Sequence, residues 1–171
     1  RKHQNKISTQ LSNQVLDSFW ALLRGFEAAH MGRMEGDTHQ AFRELALNHP
    51  DEVYEGILTS IMRLIFLVYV EEEGLIQDDQ SQIYQRSYSV TGLFQRLEAD
   101  RAKFQGSMTE RRGAWAQLLS LTRMIYGGGE YQGFKVPVRQ GELFDPNRFP
   151  FLEGRRRGDE SDLPLSVPPV S

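Results

Sequence analysis

Cysteine is absent from this chain of 171 residues. That excludes a disulfide framework and any thiolate metal site, and it suits a cytoplasmic protein. Histidine is scarce, and His30, His39 and His49 stand about ten residues apart. Two imidazoles on one helical face need a four-residue spacing, so no metal centre is expected. Positive charge is not in excess: 20 Lys and Arg face 23 Asp and Glu. This argues against a protein whose main task is gripping phosphates. Long apolar runs are lacking too. The unbroken stretch Leu64–Val70 is seven residues, against roughly 20 for a bilayer-spanning helix, so no membrane span is expected. The opening residues RKHQNKIST are basic and polar, without the apolar core of a secretory signal. With no initiator methionine and a proline-rich PLSVPPVS at the end, both termini are expected to be internal to a longer protein.

Catalytic signatures are also missing. Gly127-Gly128-Gly129 lacks the Gly-Lys-Ser/Thr ending of a phosphate loop and reads as a helix stop. Ser60 has no nucleophile-elbow glycines around it. Pro50-Asp51 has no Glu-x-Lys at nuclease-like spacing downstream. The carboxylates Glu71, Glu72 and Glu73 could in principle hold a metal or move a proton. Three consecutive helical residues point in three directions, however, so a solvated helix end is expected.

What the chain does have is helical periodicity. Leu11, Val15, Phe19, Leu22, Leu23 and Phe26 recur at three- and four-residue steps, predicting a long amphipathic helix from Ser8 or Thr9. A shorter helix through Phe42 and Leu45 should stop near Asn48, because His49 precedes Pro50. Pro50 suits the first turn of a third helix, with Asp51 and Glu52 at its positive end and a stop at Gly74. Its second half, MRLIFLVYV, is apolar almost all round and is expected to be central and buried. Arg63 inside it needs a partner from another element if it is buried, and is otherwise exposed on a narrow polar stripe.

Two further helices are predicted, from about Val90 to Phe104 and from an N-cap at Thr109 to the glycine triplet. The last should bury Trp115, Leu118, Leu119, Thr122 and Ile125. Helical spacing then ends. FKVPV suggests a short strand, and Asp145-Pro146-Asn147 has turn chemistry. Pro150 should hold Phe149 extended, so that Phe149 and Phe151 anchor the arm from one side. The expected fold is mainly α: a helical bundle over 1–130, a short irregular or β-containing arm over 131–154 packing on it, and a linker over 155–171.

Charge is unevenly spread. Between Glu44 and Asp79 nine acidic residues accompany the single Arg63. Basic residues collect as Arg96, Arg101, Lys103, Arg111 and Arg112, and as Arg155, Arg156 and Arg157. These eight are the candidates for DNA phosphate contacts, which position a protein without reading sequence. The alternative is a set of solvated helix faces.

Three phrases occur in order: EGILTSIMRLIFLVYVEEEGLI at 55–76, IYQRSYSVTGLFQRL at 83–97 and VPVRQGELFDPNRFPFLEG at 136–154. Together they resemble the helical region of large bacterial adenine-specific DNA methyltransferases. Those enzymes serve type IIG/IIL restriction–modification and BREX- and DISARM-like phage defence. QLSNQVLDSFWALLRGFE at 10–27 looks like that family's lead-in helix, so the resemblance covers about Gln10–Glu153. Where the family usually has an acidic/basic pair after the central tyrosine, this chain has Glu71-Glu72-Glu73, and no role for a basic residue carries over.

The resemblance implies a non-catalytic spacer and scaffold ahead of an N6-adenine methyltransferase domain, its partner in the same polypeptide, with weak or indirect contact to DNA. S-adenosylmethionine would be the cofactor of that parent protein and not of this chain. Neither the Asn/Asp-Pro-Pro-Tyr/Phe motif nor the cofactor loop occurs here, and Asp145-Pro146-Asn147-Arg148 lacks the second proline and the aromatic. No catalytic, cofactor-binding or metal residue is therefore assigned. Two other readings stay open: a stand-alone helical protein–protein adaptor, and an enzyme whose site assembles from scattered residues.

Overall fold

The computed structural model describes residues 2–31, 38–75, 84, 88–104, 113–131, 134–136 and 140–155. The fold is mainly α. Among the described residues the helices are α1 (Lys2–Met31), α2 (Thr38–Asn48), α3 (Pro50–Glu72), α4 (Val90–Lys103) and α5 (Ala114–Gly127). A small antiparallel hairpin, β1 (Gly129–Tyr131) with β2 (Phe134–Val136), follows α5, with Gly129 opposite Val136 and Tyr131 opposite Phe134. The chain divides into two compact units, residues 1–62 and 63–171.

In the first unit α1 begins at Lys2, not at Ser8 or Thr9. Lys2, Gln4 and Lys6 are good helix formers, and nothing among them breaks a helix, so the ladder extends through the polar lead. Phe26 of α1 stacks on Phe42 of α2, ring centroids 5.9 Å apart, and both are buried. Phe19 meets Tyr54 of α3 at 5.4 Å. His49 leaves the helical path between α2 and α3, and its carbonyl accepts from the Glu52 N–H at 3.1 Å. Pro50 thus sits where a missing N–H costs nothing.

The end of α3 matches its sequence signal. Gly74 takes a left-handed φ of 68°, and the Leu75 N–H reaches back to the Val70 carbonyl at 3.0 Å. This is the closure that glycine permits without a Cβ clash. The second half of α3 is not buried all round, contrary to expectation. Ile65, Phe66, Val68 and Tyr69 are exposed, whereas Arg63, Leu67, Val70 and Glu71 are buried. A helix shows only one stripe to its core, and here that stripe includes both the arginine and a glutamate. By length and apolarity alone, α3 is the one helix among the described residues that could cross a membrane. Its buried Arg63 and Glu71 bind other elements of the second unit instead.

The core of that unit gathers Leu67, Tyr84, Leu121, Ile125 and Phe144, with Tyr88, Val90, Met124, Tyr126 and Leu143 packed around them. Leu121, which the sequence reading passed over, is wholly buried, while Trp115 and Leu118 are only partly so. α5 opens at Ala114, not near Thr109, which lies outside the described residues. The left-handed φ of 103° at Gly113 breaks the helical path immediately before it.

The segment after the hairpin is built from two 3-10 turns, Glu142–Phe144 and Pro150–Glu153. Residues 150–153 are therefore not extended. Pro150 restricts Phe149 to φ −133° as anticipated, but its own fixed φ then starts a helical turn. Both aromatics are still anchors: Phe149, Phe151 and Leu152 are buried. The Asp145 turn forms as its chemistry suggests, its carboxylate accepting from the Asn147 N–H at 2.8 Å. Phe149→Ala and Phe151→Ala should each cost about 3 kcal/mol by leaving a cavity. Urea denaturation measures this, and unfolding of either variant at the wild-type midpoint would show that its ring adds nothing to this core.

Candidate functional site

The chemistry-bearing side chains of the second unit converge on two places. The first is Glu71, one turn beyond Leu67 on the buried stripe of α3. One carboxylate oxygen accepts from the Tyr84 hydroxyl at 2.7 Å and the Val90 N–H at 2.7 Å. The other accepts from the Ser89 hydroxyl at 3.1 Å, the Thr91 N–H at 3.0 Å and the Thr91 hydroxyl at 2.8 Å.

Val90 and Thr91 are the first residues of α4, whose N–H groups have no partner inside their own helix. Ser89 caps the same end, accepting from the Gly92 N–H at 3.0 Å. A carboxylate from α3 thus completes the cap of α4, and its negative charge sits at the positive end of that helix dipole. Burial pushes the Glu71 carboxyl up, but the donors from Thr91, Tyr84 and Val90 outweigh it and hold the group below its ordinary value. Tyr84 is driven above its usual range by burial, and further by its bond to Glu71.

An ionised carboxylate offers about four lone-pair directions. Five donors occupy those of Glu71. The folded arrangement commits both oxygens to these donors. The expectation of a solvated helix end holds for Glu72 and Glu73, which are exposed, and fails for Glu71. The missed signal was the four-residue step from Leu67, which places Glu71 on the core side of α3.

The second place is Arg63, 5% exposed. Its Nε donates to the Leu143 carbonyl at 2.6 Å and its Nη2 to the Asp145 carbonyl at 3.0 Å. The expected partner from another element exists, and it is backbone. The planar guanidinium spans the first 3-10 turn and fixes where the chain re-enters the core. Burial lowers the Arg63 pKa, Glu153 and Asp145 raise it, and Arg148 lowers it again.

Nearby, buried Glu153 pairs with Arg123 at 2.6 Å, and the Trp115 indole donates to the Leu152 carbonyl at 3.0 Å. Among the described residues the Glu153 Oε1 atom has no hydrogen-bond partner. Neither Glu153 nor Arg123 was singled out from sequence. Among the described residues no group of three His, Asp or Glu is placed to hold a metal ion.

The basic candidates divide. Arg96, Arg101 and Lys103 are exposed on α4. Arg96 and Lys103, seven residues apart, share a helical side, while Arg101 turns away. Arg96 donates to the Gln117 side chain at 2.9 Å. Arg155 is partly buried and donates to the Pro146 carbonyl at 2.7 Å and the Asn147 side chain at 2.9 Å, so its guanidinium serves the turn. Arg111, Arg112, Arg156 and Arg157 lie outside the described residues.

Taken together, this is a site of internal fastening, with buried charge committed to joining elements. Comparisons with protein-family models, curated proteins and solved structures find no match to this chain.

Proposed function

We propose that this chain is a non-catalytic helical scaffold domain of a bacterial, cytoplasmic DNA adenine N6-methyltransferase of the restriction–modification or phage-defence kind. It would set the position of the catalytic domain relative to DNA. The observation that supports this reading is how the three family-like phrases interlock. The first supplies Glu71 and Arg63. The second supplies Tyr84, Ser89, Val90 and Thr91 to Glu71. The third supplies the Leu143 and Asp145 carbonyls to Arg63.

Phrases whose polar residues are consumed in holding one another fit a rigid support better than a reaction centre. Arg101 and Lys103 are exposed for weak phosphate contacts that would orient the support without reading bases, and Arg96, exposed beside them, is already bonded to Gln117. The cofactor and the chemistry would come from a neighbouring domain.

The test has two parts. Isothermal titration of this chain with S-adenosylmethionine should give no binding heat. The gene's reading frame beyond residue 171 should encode a glycine-containing cofactor loop and an Asn/Asp-Pro-Pro-Tyr/Phe motif. Micromolar binding by this chain, or a continuing frame with neither motif, would sink the proposal.

A further inference from the structure

The buried pair of Glu153 and Arg123 is poorly arranged as a source of stability. Glu153 ends the second 3-10 turn and is 4% exposed. The Nε and Nη2 atoms of Arg123, on α5, both reach its Oε2 atom at 2.6 Å. Among the described residues Oε1 is buried with no partner. A fork-to-fork pair would engage both oxygens. Here the carboxylate carries its desolvation penalty and half of it goes unanswered. Replacing such a pair by apolar side chains of similar volume is often neutral or stabilising.

What the pair does supply is residue identity. Among the described residues the main-chain bonds of residues 149–155 stay within the segment, from Leu152 to Phe149, Gly154 to Phe151 and Arg155 to Pro150, and none runs to α3 or α5. Arg63 and the Trp115 indole tie residues 143–152 to those helices, but through carbonyls, which every residue carries. Burial of apolar rings is non-directional. Phe149 and Phe151 are identical side chains two residues apart, with Leu152 beside them. Neither kind of contact distinguishes strongly between neighbouring settings of the turn. The tie from Arg123 does, because Glu153 is the only acid among residues 146–155.

From this geometry we infer that Glu153 and Arg123 form a register pin, holding residues 149–155 in one setting on α5 while adding little to overall stability. A slip of one residue would carry the carboxylate away from its guanidinium and leave a buried charge alone, a larger penalty than the defect at Oε1. The pin acts within the second unit alone.

The test compares the 171-residue chain with Arg123→Met/Glu153→Leu. Urea denaturation should place the midpoint of the double variant at or above that of wild type. Amide hydrogen exchange read by NMR should speed up by about tenfold or more at Leu152, Gly154 and Arg155, whose N–H bonds define the turn, and stay unchanged at Leu121 and Ile125 of α5. Arg123→Lys should keep wild-type protection at the three turn amides, since one ammonium suffices for the one oxygen in use. A double variant that unfolds below wild type, or does not fold, makes the pair a source of stability and overturns the inference. Wild-type exchange at the three amides in the double variant overturns it too, as does an equal loss of protection in Arg123→Lys.

Discussion

Glu71→Ala should unfold at a much lower urea concentration than wild type, with a loss of about 4 kcal/mol, the scale of breaking a buried charge network. The substitution removes the shared acceptor of the Tyr84, Ser89 and Thr91 hydroxyls and the Val90 and Thr91 N–H groups. Each buried donor left without a partner costs about 1–3 kcal/mol, partly recovered where water can enter. Exposed Thr91 should recover most and wholly buried Tyr84 least.

Glu71→Gln should recover little of the loss. Both carboxylate oxygens accept from donors only, so an amide N–H placed at either position faces another donor. Recovery of wild-type stability by Gln would show that volume, not the carboxylate, matters there. The neighbours Glu72→Gln and Glu73→Gln, both exposed, should move the midpoint by less than about 0.5 kcal/mol.

The same node sets a pH dependence. The Glu71 carboxyl is held below its ordinary value of 4.5 in the folded chain. Unfolding would return it to that value, so its contribution to stability is complete above it. The contribution is lost as pH falls from there through the lower folded value. Tyr84 acts at the other end: its folded pKa lies above the ordinary value of 10.0. Its contribution is complete below that value and lost as pH rises beyond it. Urea midpoints measured from pH 3 to pH 6, a range chosen to bracket about 4.5, should show a steeper acid loss for wild type than for Glu71→Gln. Parallel profiles would remove Glu71 as the cause.

Arg63→Ala should cost about 3–5 kcal/mol. Two charge-assisted bonds disappear, each worth roughly 1.5–3 kcal/mol, and the 3-10 turn at 142–144 loses its tie to α3. Phe144, which lies edge-on to Phe66 at 5.4 Å and belongs to the core, should loosen with it. Arg63→Lys should restore less than half of the loss. A single ammonium cannot reproduce the fork that reaches the Leu143 and Asp145 carbonyls together. A loss under about 0.5 kcal/mol for Arg63→Ala would mean that the turn holds its place without the guanidinium.

Local signals in the sequence settled the local structure. The Pro50 start and Gly74 stop of α3, the span of α4, the glycine end of α5 and the Asp145 turn all depend on residues within a few positions of one another. Proline fixes φ, glycine admits a left-handed φ and apolar spacing marks a stripe, wherever the rest of the chain lies. Three things could not be read this way. Periodicity did not say which side of the apolar half of α3 faces the core, because almost any side would have served. Only the packing of Leu67 and Val70 turned Glu71 inward and left Ile65 and Tyr69 outside. Residues 150–153 were bent into a 3-10 turn after Phe149, although alternation suggested extension. The partners of Arg63 and Glu71 lie as many as 82 and 20 residues away, respectively, and at Arg63 they are main-chain carbonyls, which leave no mark on composition or spacing. Charge could be counted from the sequence, but which charges are buried and joined was decided only when distant segments packed, because desolvation and hydrogen bonding act through space.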